Sequence, residues 1–167
     1  MHHIQRFTRI ALAGILSTAL LGCGGSDEDS ADATDKTDPA AKYVGNWSTG
    51  CIRTSSVSSF WREGHYERTG DHSLHVSGTT DRYSTPDCSG DARTRNFVAD
   101  VVIDEQGSWR GHTVDKVTIE VTVNGFSFRY RALFLIRDHH FYGAVELDKR
   151  DEHYPADVDE SVSSRKQ

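Results

Sequence analysis

Seven histidines, His65, His72, His75, His112, His139, His140 and His153, lie within the last 125 residues of the chain. Imidazole is the commonest protein ligand for zinc and copper, so the set must be weighed for metal spacing. His72 and His75 have opposite strand parity and would point to opposite faces. His65 and His72 flank a turn signal at Thr69-Gly70-Asp71, and with Glu67 or Asp71 they could meet an ion across a hairpin. No His-x3-His pair or dense cluster fixes that geometry, so the histidines read as a polar β-face and no metal is assigned. Serine, histidine and aspartate are all present, but no Gly-x-Ser-x-Gly elbow activates one serine. The carboxylates are scattered, and neither Gly-x-Gly-x-x-Gly nor Gly-Lys-Ser/Thr occurs to cradle phosphate. The residues therefore predict no enzyme and no cofactor.

Two arginines carry a different chemistry. On a strand, Arg62 shares a face with Phe60 and Tyr66, and Arg82 shares one with Leu74 and Val76. If those faces are interior, an arginine can hold a carboxylate or phosphate there. The alternative is a bulge that turns it outward. Phe128 and Tyr130, on an aromatic face with Phe126 and Phe134, are the candidates for the apolar part of such a ligand site, although such faces are more often plain core.

These residues need strands to position them, and the chain supplies strand signals throughout. Val117, Ile119, Val121 and Val123 alternate with polar residues up to Asn124-Gly125, a strong hairpin signal. Phe126, Phe128, Tyr130, Ala132, Phe134 and Ile136 then share one face, and Asp138-His139 predicts the next turn. His140–Leu147 reads as a further strand. Upstream, Phe97, Ala99, Val101 and Ile103 form one face of a strand ending near Asp104, with a turn expected at Gln106-Gly107. Ser59–Arg68 and His72–Tyr83 form an earlier hairpin, and Val44–Arg53 the first strand. The stretch from Glu160 has little to bury and is expected to fray. About eight strands in Tyr43–Gln167 predict an all-β antiparallel barrel, with a β-sandwich as the alternative.

The N-terminus reads as an address. Arg6 and Arg9 precede a short apolar run, Ile10–Leu21, the layout of a secretory signal. No apolar run reaches about 18 residues, so no helix long enough to span a bilayer is expected. Leu20-Leu21-Gly22-Cys23 resembles the lipobox of bacterial lipoproteins. The resemblance implies cleavage after residue 22 and three acyl chains on Cys23. The bland alternative is a cleaved, unanchored secretory protein. Gly24 is not the Asp that commonly retains lipoproteins in the inner membrane, so the resemblance implies the outer membrane. Gly24–Lys42 holds six acids, two lysines and no aromatic or branched aliphatic residue. It reads as a disordered tether over 23–42, leaving 43–167 as the folded domain. The overall charge of −6 argues against a nucleic-acid partner.

With Cys23 assigned to the anchor, Cys51 and Cys88 remain. An oxidising compartment then predicts a disulfide between them. Gly45-Asn46-Trp47 resembles the Gly-x-Trp signature of lipocalins and related calycins. In those eight-stranded barrels the tryptophan closes one end against a basic side chain near the last strand. That resemblance implies Trp47 with Arg150 or Lys149. Together with Asp87-Cys88-Ser89-Gly90 and Tyr154-Pro155-Ala156-Asp157, the chain also resembles small bacterial lipoproteins that join a tryptophan-bearing first strand to one disulfide. The expectation is a lipid-anchored barrel binding a small, partly apolar ligand in the envelope. The alternative is a filled barrel that acts on another envelope protein, for instance as a hydrolase inhibitor.

Overall fold

The computed structural model describes residues 38–147 and 152–167. Cys23, the signal run, most of the acidic stretch, Lys149 and Arg150 lie outside the described residues. The chain forms a 3-10 turn, Ala41–Tyr43, followed by eight strands. These are β1 (Gly45–Ser55), β2 (Ser58–Gly70), β3 (Ser73–Tyr83), β4 (Ala92–Trp109), β5 (His112–Val123), β6 (Phe126–Arg137), β7 (His140–Tyr142) and β8 (Ser163–Lys166). Each strand pairs antiparallel with its sequence neighbours, and β8 pairs with β1 to close a barrel. The sandwich alternative is thereby excluded. Closure leaves no continuous free sheet edge where β1 and β8 meet.

Alternation places the core. Val117, Ile119 and Val121 of β5 face inward beside Ala132 and Tyr130 of β6 and Ala99 and Val101 of β4, all essentially buried. Asn124 and Gly125 both have positive φ, 51° and 80°, as a tight hairpin turn requires. Asp138 and His139 do the same at 51° and 60°.

Phe141, on the three-residue β7, is the hub of the floor. Its ring lies 4.8 Å from that of Phe134, 5.1 Å from Tyr43, 5.3 Å from Trp47 and 5.4 Å from Tyr66. Below this cluster the 3-10 turn closes the barrel. The Tyr43 hydroxyl donates to Asp115 at 2.7 Å, Gln106 donates to the same carboxylate at 3.0 Å, and the Lys42 ammonium sits 2.8 Å from it. Asp115 is fully buried, and a buried charge is tolerable only when paired and hydrogen-bonded in this way.

Four expectations are corrected. The turn expected at Gln106-Gly107 is a bulge two residues earlier: register slips between Ile103 and Glu105, β4 runs on to Trp109, and the chain turns at Arg110-Gly111. The extra residue reverses the parity beyond it. Trp109 therefore leaves the core and packs with Val114, Leu133, Leu135 and Val158 outside the barrel. The strand expected over His140–Leu147 stops at Tyr142. The C-terminal residues do not fray: β8 pairs with both β7 and β1, because pairing on both edges offsets its ordering entropy. Folded structure also begins before Tyr43. Ala40 is fully buried and its N–H donates to the Asp71 carbonyl at 3.1 Å.

Candidate functional site

The closing strands are short. β6 pairs with β7 only over Leu135–Arg137, and β1 pairs with β8 only at Trp47 and Ser48. Above those pairs the wall between β6 and β1 holds no further β7 or β8 residue, and the chain turns inward instead. Gly143 makes that turn. Its φ is +82°, and a Cβ there would stand 2.0 Å from the Leu133 carbonyl oxygen, so no other residue fits. The segment Gly143–Leu147 then enters the barrel as a strap, with Val145 fully buried in the core.

Interior side chains fasten the strap by its backbone. Arg62 donates to the Val145 carbonyl at 2.9 Å and to the Thr80 hydroxyl at 3.2 Å. The Val145 N–H donates to the Tyr66 hydroxyl oxygen at 3.3 Å, and the Glu146 N–H donates to that of Tyr130 at 2.6 Å. Burial lowers the Arg62 pKa, with Glu146 pulling it back up. Burial also pushes the Tyr66 phenol up to about 12 and raises that of Tyr130. These phenols are neutral at ordinary pH, so they serve as hydrogen-bonding posts rather than as acids or bases.

Beside the strap lies a cavity of about 390 Å³. β2 contributes Ser58, Ser59, Phe60 and Arg62, β3 contributes Arg82 and Tyr83, and the strap contributes Gly143, Ala144 and Glu146. Thr54, Asp159 and Val162 complete it. Phe60 pairs across the sheet with Arg82, and Arg62 with Thr80, so all four share the inner face. The Arg62 guanidinium also stands 5.2 Å from the Phe60 ring centre. The lining mixes apolar side chains and hydroxyls with charged groups of both signs. That suits a small amphipathic molecule.

Each residue singled out from the sequence has a definite place. Arg62 and Arg82 both line the cavity; no bulge turns them out. Tyr130 is buried beneath it and holds the strap. Phe128 stacks on Tyr130 at 6.3 Å but is not among the cavity-lining residues, so the aromatic face of β6 is mainly core. Cys51 and Cys88 form the disulfide, with Cα atoms 5.8 Å apart. It fastens the β3–β4 loop over β2 onto β1; Ser59 assists by accepting the Cys88 N–H and donating to the Thr85 carbonyl. Trp47 is buried at the closed end and donates from Nε1 to the Tyr43 carbonyl at 2.7 Å. The cation 5.8 Å above its ring is Lys166 of β8. Arg150, the basic partner expected from the resemblance, lies outside the described residues, as does Cys23.

The histidines do not converge. His65 bonds Asn46 and His75 bonds Asp100, and no group of three His, Cys, Asp or Glu among the described residues could hold a metal. The sequence placed Tyr66 on the face of Arg62 but did not signal its bond to the strap, and it gave no sign of Thr80 or of the strap itself. Only Gly143, a glycine inside an apparent strand, signalled the inward turn.

No protein-family model, no curated protein and no solved structure matches this chain. The functional reading therefore rests on the residues and their geometry.

Proposed function

We propose that this protein is a lipid-anchored, lipocalin-like binding protein of the bacterial envelope that holds a small, partly apolar ligand beside its strap. The observation that carries this reading is the cavity of about 390 Å³ lined by the half-buried Arg62. A cavity of this size accommodates a small organic molecule. Phe60, Tyr83, Ala144 and Val162 supply apolar contact, and the charged groups supply orientation. The ligand sits shallowly, because the Phe141 cluster fills the barrel beneath it.

The lipobox-like run ending at Cys23 motivates the anchor, and Gly24 motivates the outer membrane. Fourteen residues separate Cys23 from Asp38. Fully extended they span roughly 50 Å, enough to hold the barrel clear of a lipid surface. They lead to the closed end, at Ala40 and Tyr43.

The filled floor favours a second reading, that the protein acts on an envelope protein and carries no ligand. Thermal denaturation across a panel of lipids and metabolites separates the two. Ligand carriage predicts a rise in Tm for at least one compound, abolished by Ala144→Trp, which fills the cavity. An unchanged Tm across the panel supports the protein-interaction reading.

A further inference from the structure

We infer that the bound molecule is an anion whose carboxylate or phosphate head extends past the cavity-lining Arg82 to Arg93 and Arg95 of β4, which share its face of the sheet but are not among the lining residues. This deepens the cavity reading and rests on it. β3 and β4 run past the end of β5, which pairs with β4 no further than Phe97↔Val123. On that extension Arg93 lies directly opposite Arg82, and Arg95 lies directly opposite Thr80. Residues opposite one another in an antiparallel pair point to the same face, as do residues two apart on one strand. Arg82 lines the cavity and Thr80 bonds Arg62 inside the barrel, so Arg93 and Arg95 stand on the inner face above Phe97.

Arg82 has an interaction of its own. Among the described residues, Arg93 and Arg95 have no carboxylate within ion-pair distance. The one acid beside them on these strands, Asp81, has the opposite parity and accepts a hydrogen bond from Thr94 on the outer face. Arg93 and Arg95, two apart on one strand, present two guanidinium groups to the same face, where one anion can bridge them. Guanidinium groups suit the task because their forked donors match the oxygens of a carboxylate or phosphate. Glu146 of the strap lines the cavity with a carboxylate, which directs an anionic head to the β3–β4 side and leaves the apolar body to Phe60 and Ala144.

Calorimetric titration of the full chain with octanoate, octyl phosphate and 1-octanol tests this, in the wild type and in Arg93→Gln/Arg95→Gln. Both positions are solvent-exposed, so the variant should fold. At least one of the two anions should bind more tightly than 1-octanol, and the double variant should weaken it about ten-fold while leaving 1-octanol unchanged. Whichever anion binds better identifies the head as carboxylate or phosphate. If 1-octanol binds as well as both anions, or the variant binds them undiminished, the anion assignment is overturned and the cavity reading survives. If none of the three binds, both are overturned.

Discussion

Arg62 on β2 reaches through the barrel interior to the carbonyl of Val145 at 2.9 Å, tying a strand that the sequence marks as interior to a segment that leaves the sheet. The side chain is half-buried and its second bond goes to Thr80, so it holds the strap and shapes the cavity wall. Replacing it with methionine keeps most of the volume and leaves the Val145 carbonyl without that donor. Arg62→Met should lose about 2 kcal/mol of stability in urea denaturation. A loss below about 0.5 kcal/mol would show that the strap is held by packing alone.

The strap depends equally on Gly143, and a comparison between two glycines separates its causes. Gly143 and Gly125 share nearly the same φ, +82° and +80°, but a Cβ at Gly125 meets nothing within 4 Å. Gly125→Ala should therefore cost only the left-handed strain, about 1 kcal/mol. Gly143→Ala adds a clash with the Leu133 carbonyl and should cost about 3 kcal/mol or more, read by the same denaturation. Equal costs at the two sites would remove the close approach as a constraint.

The disulfide closes a loop of 37 residues. Cys51→Ser/Cys88→Ser should lower stability by about 4 kcal/mol in the chain-entropy account. Intact mass after alkylation under non-reducing, denaturing conditions should show neither cysteine modified. Proteolysis of the double variant should cut first between Ser84 and Asp91, the loop that the bond fastens.

Alkaline pH should loosen the interior. Burial raises the Tyr66 phenol to about 12, above the ordinary value near 10 that it regains on unfolding. Its contribution is complete below about pH 10 and is lost as pH rises through 10 to 12, because the unfolded state releases the proton first. Tyr43 and Tyr130 are raised in the same direction, so all three act together. Stability measured from pH 8 to 12 should fall steeply above 10, and Tyr66→Phe should make the fall shallower. An identical slope in that variant would contradict the assignment.

How far these features were legible depends on how local their cause is. The hairpin at Asn124-Gly125 and the inner faces of β4 and β5 follow from alternation and turn chemistry, which are written in consecutive residues. The inward direction of Arg62 and Arg82 follows from parity as well, because β2 and β3 pair without a slip from Ser59 to Arg68. The bulge beside Asp104 was not legible: one extra residue is set by pairing with β5, and it moved Trp109 from inside to outside. β8 was also hidden. Ser-Ser-Arg-Lys carries no hydrophobic pattern, and only its two flanking strands make it a strand. The strap looked like strand because Ala144-Val145-Glu146-Leu147 alternates, yet Gly143 and the interior hydroxyls of Tyr66 and Tyr130 redirect it. Arg93, Arg95 and Phe97 share one parity, but the height to which β5 rises decides which of them meet solvent, and that height is not written in β4.

The space beside the strap is proposed to hold a small molecule. Native mass spectrometry of the protein isolated gently from its own envelope measures this directly. Ligand carriage predicts a discrete added mass of a few hundred daltons, retained in the wild type and absent from Ala144→Trp. A mass equal to the polypeptide and its covalent modifications, identical in both proteins in its lack of any bound species, would contradict it.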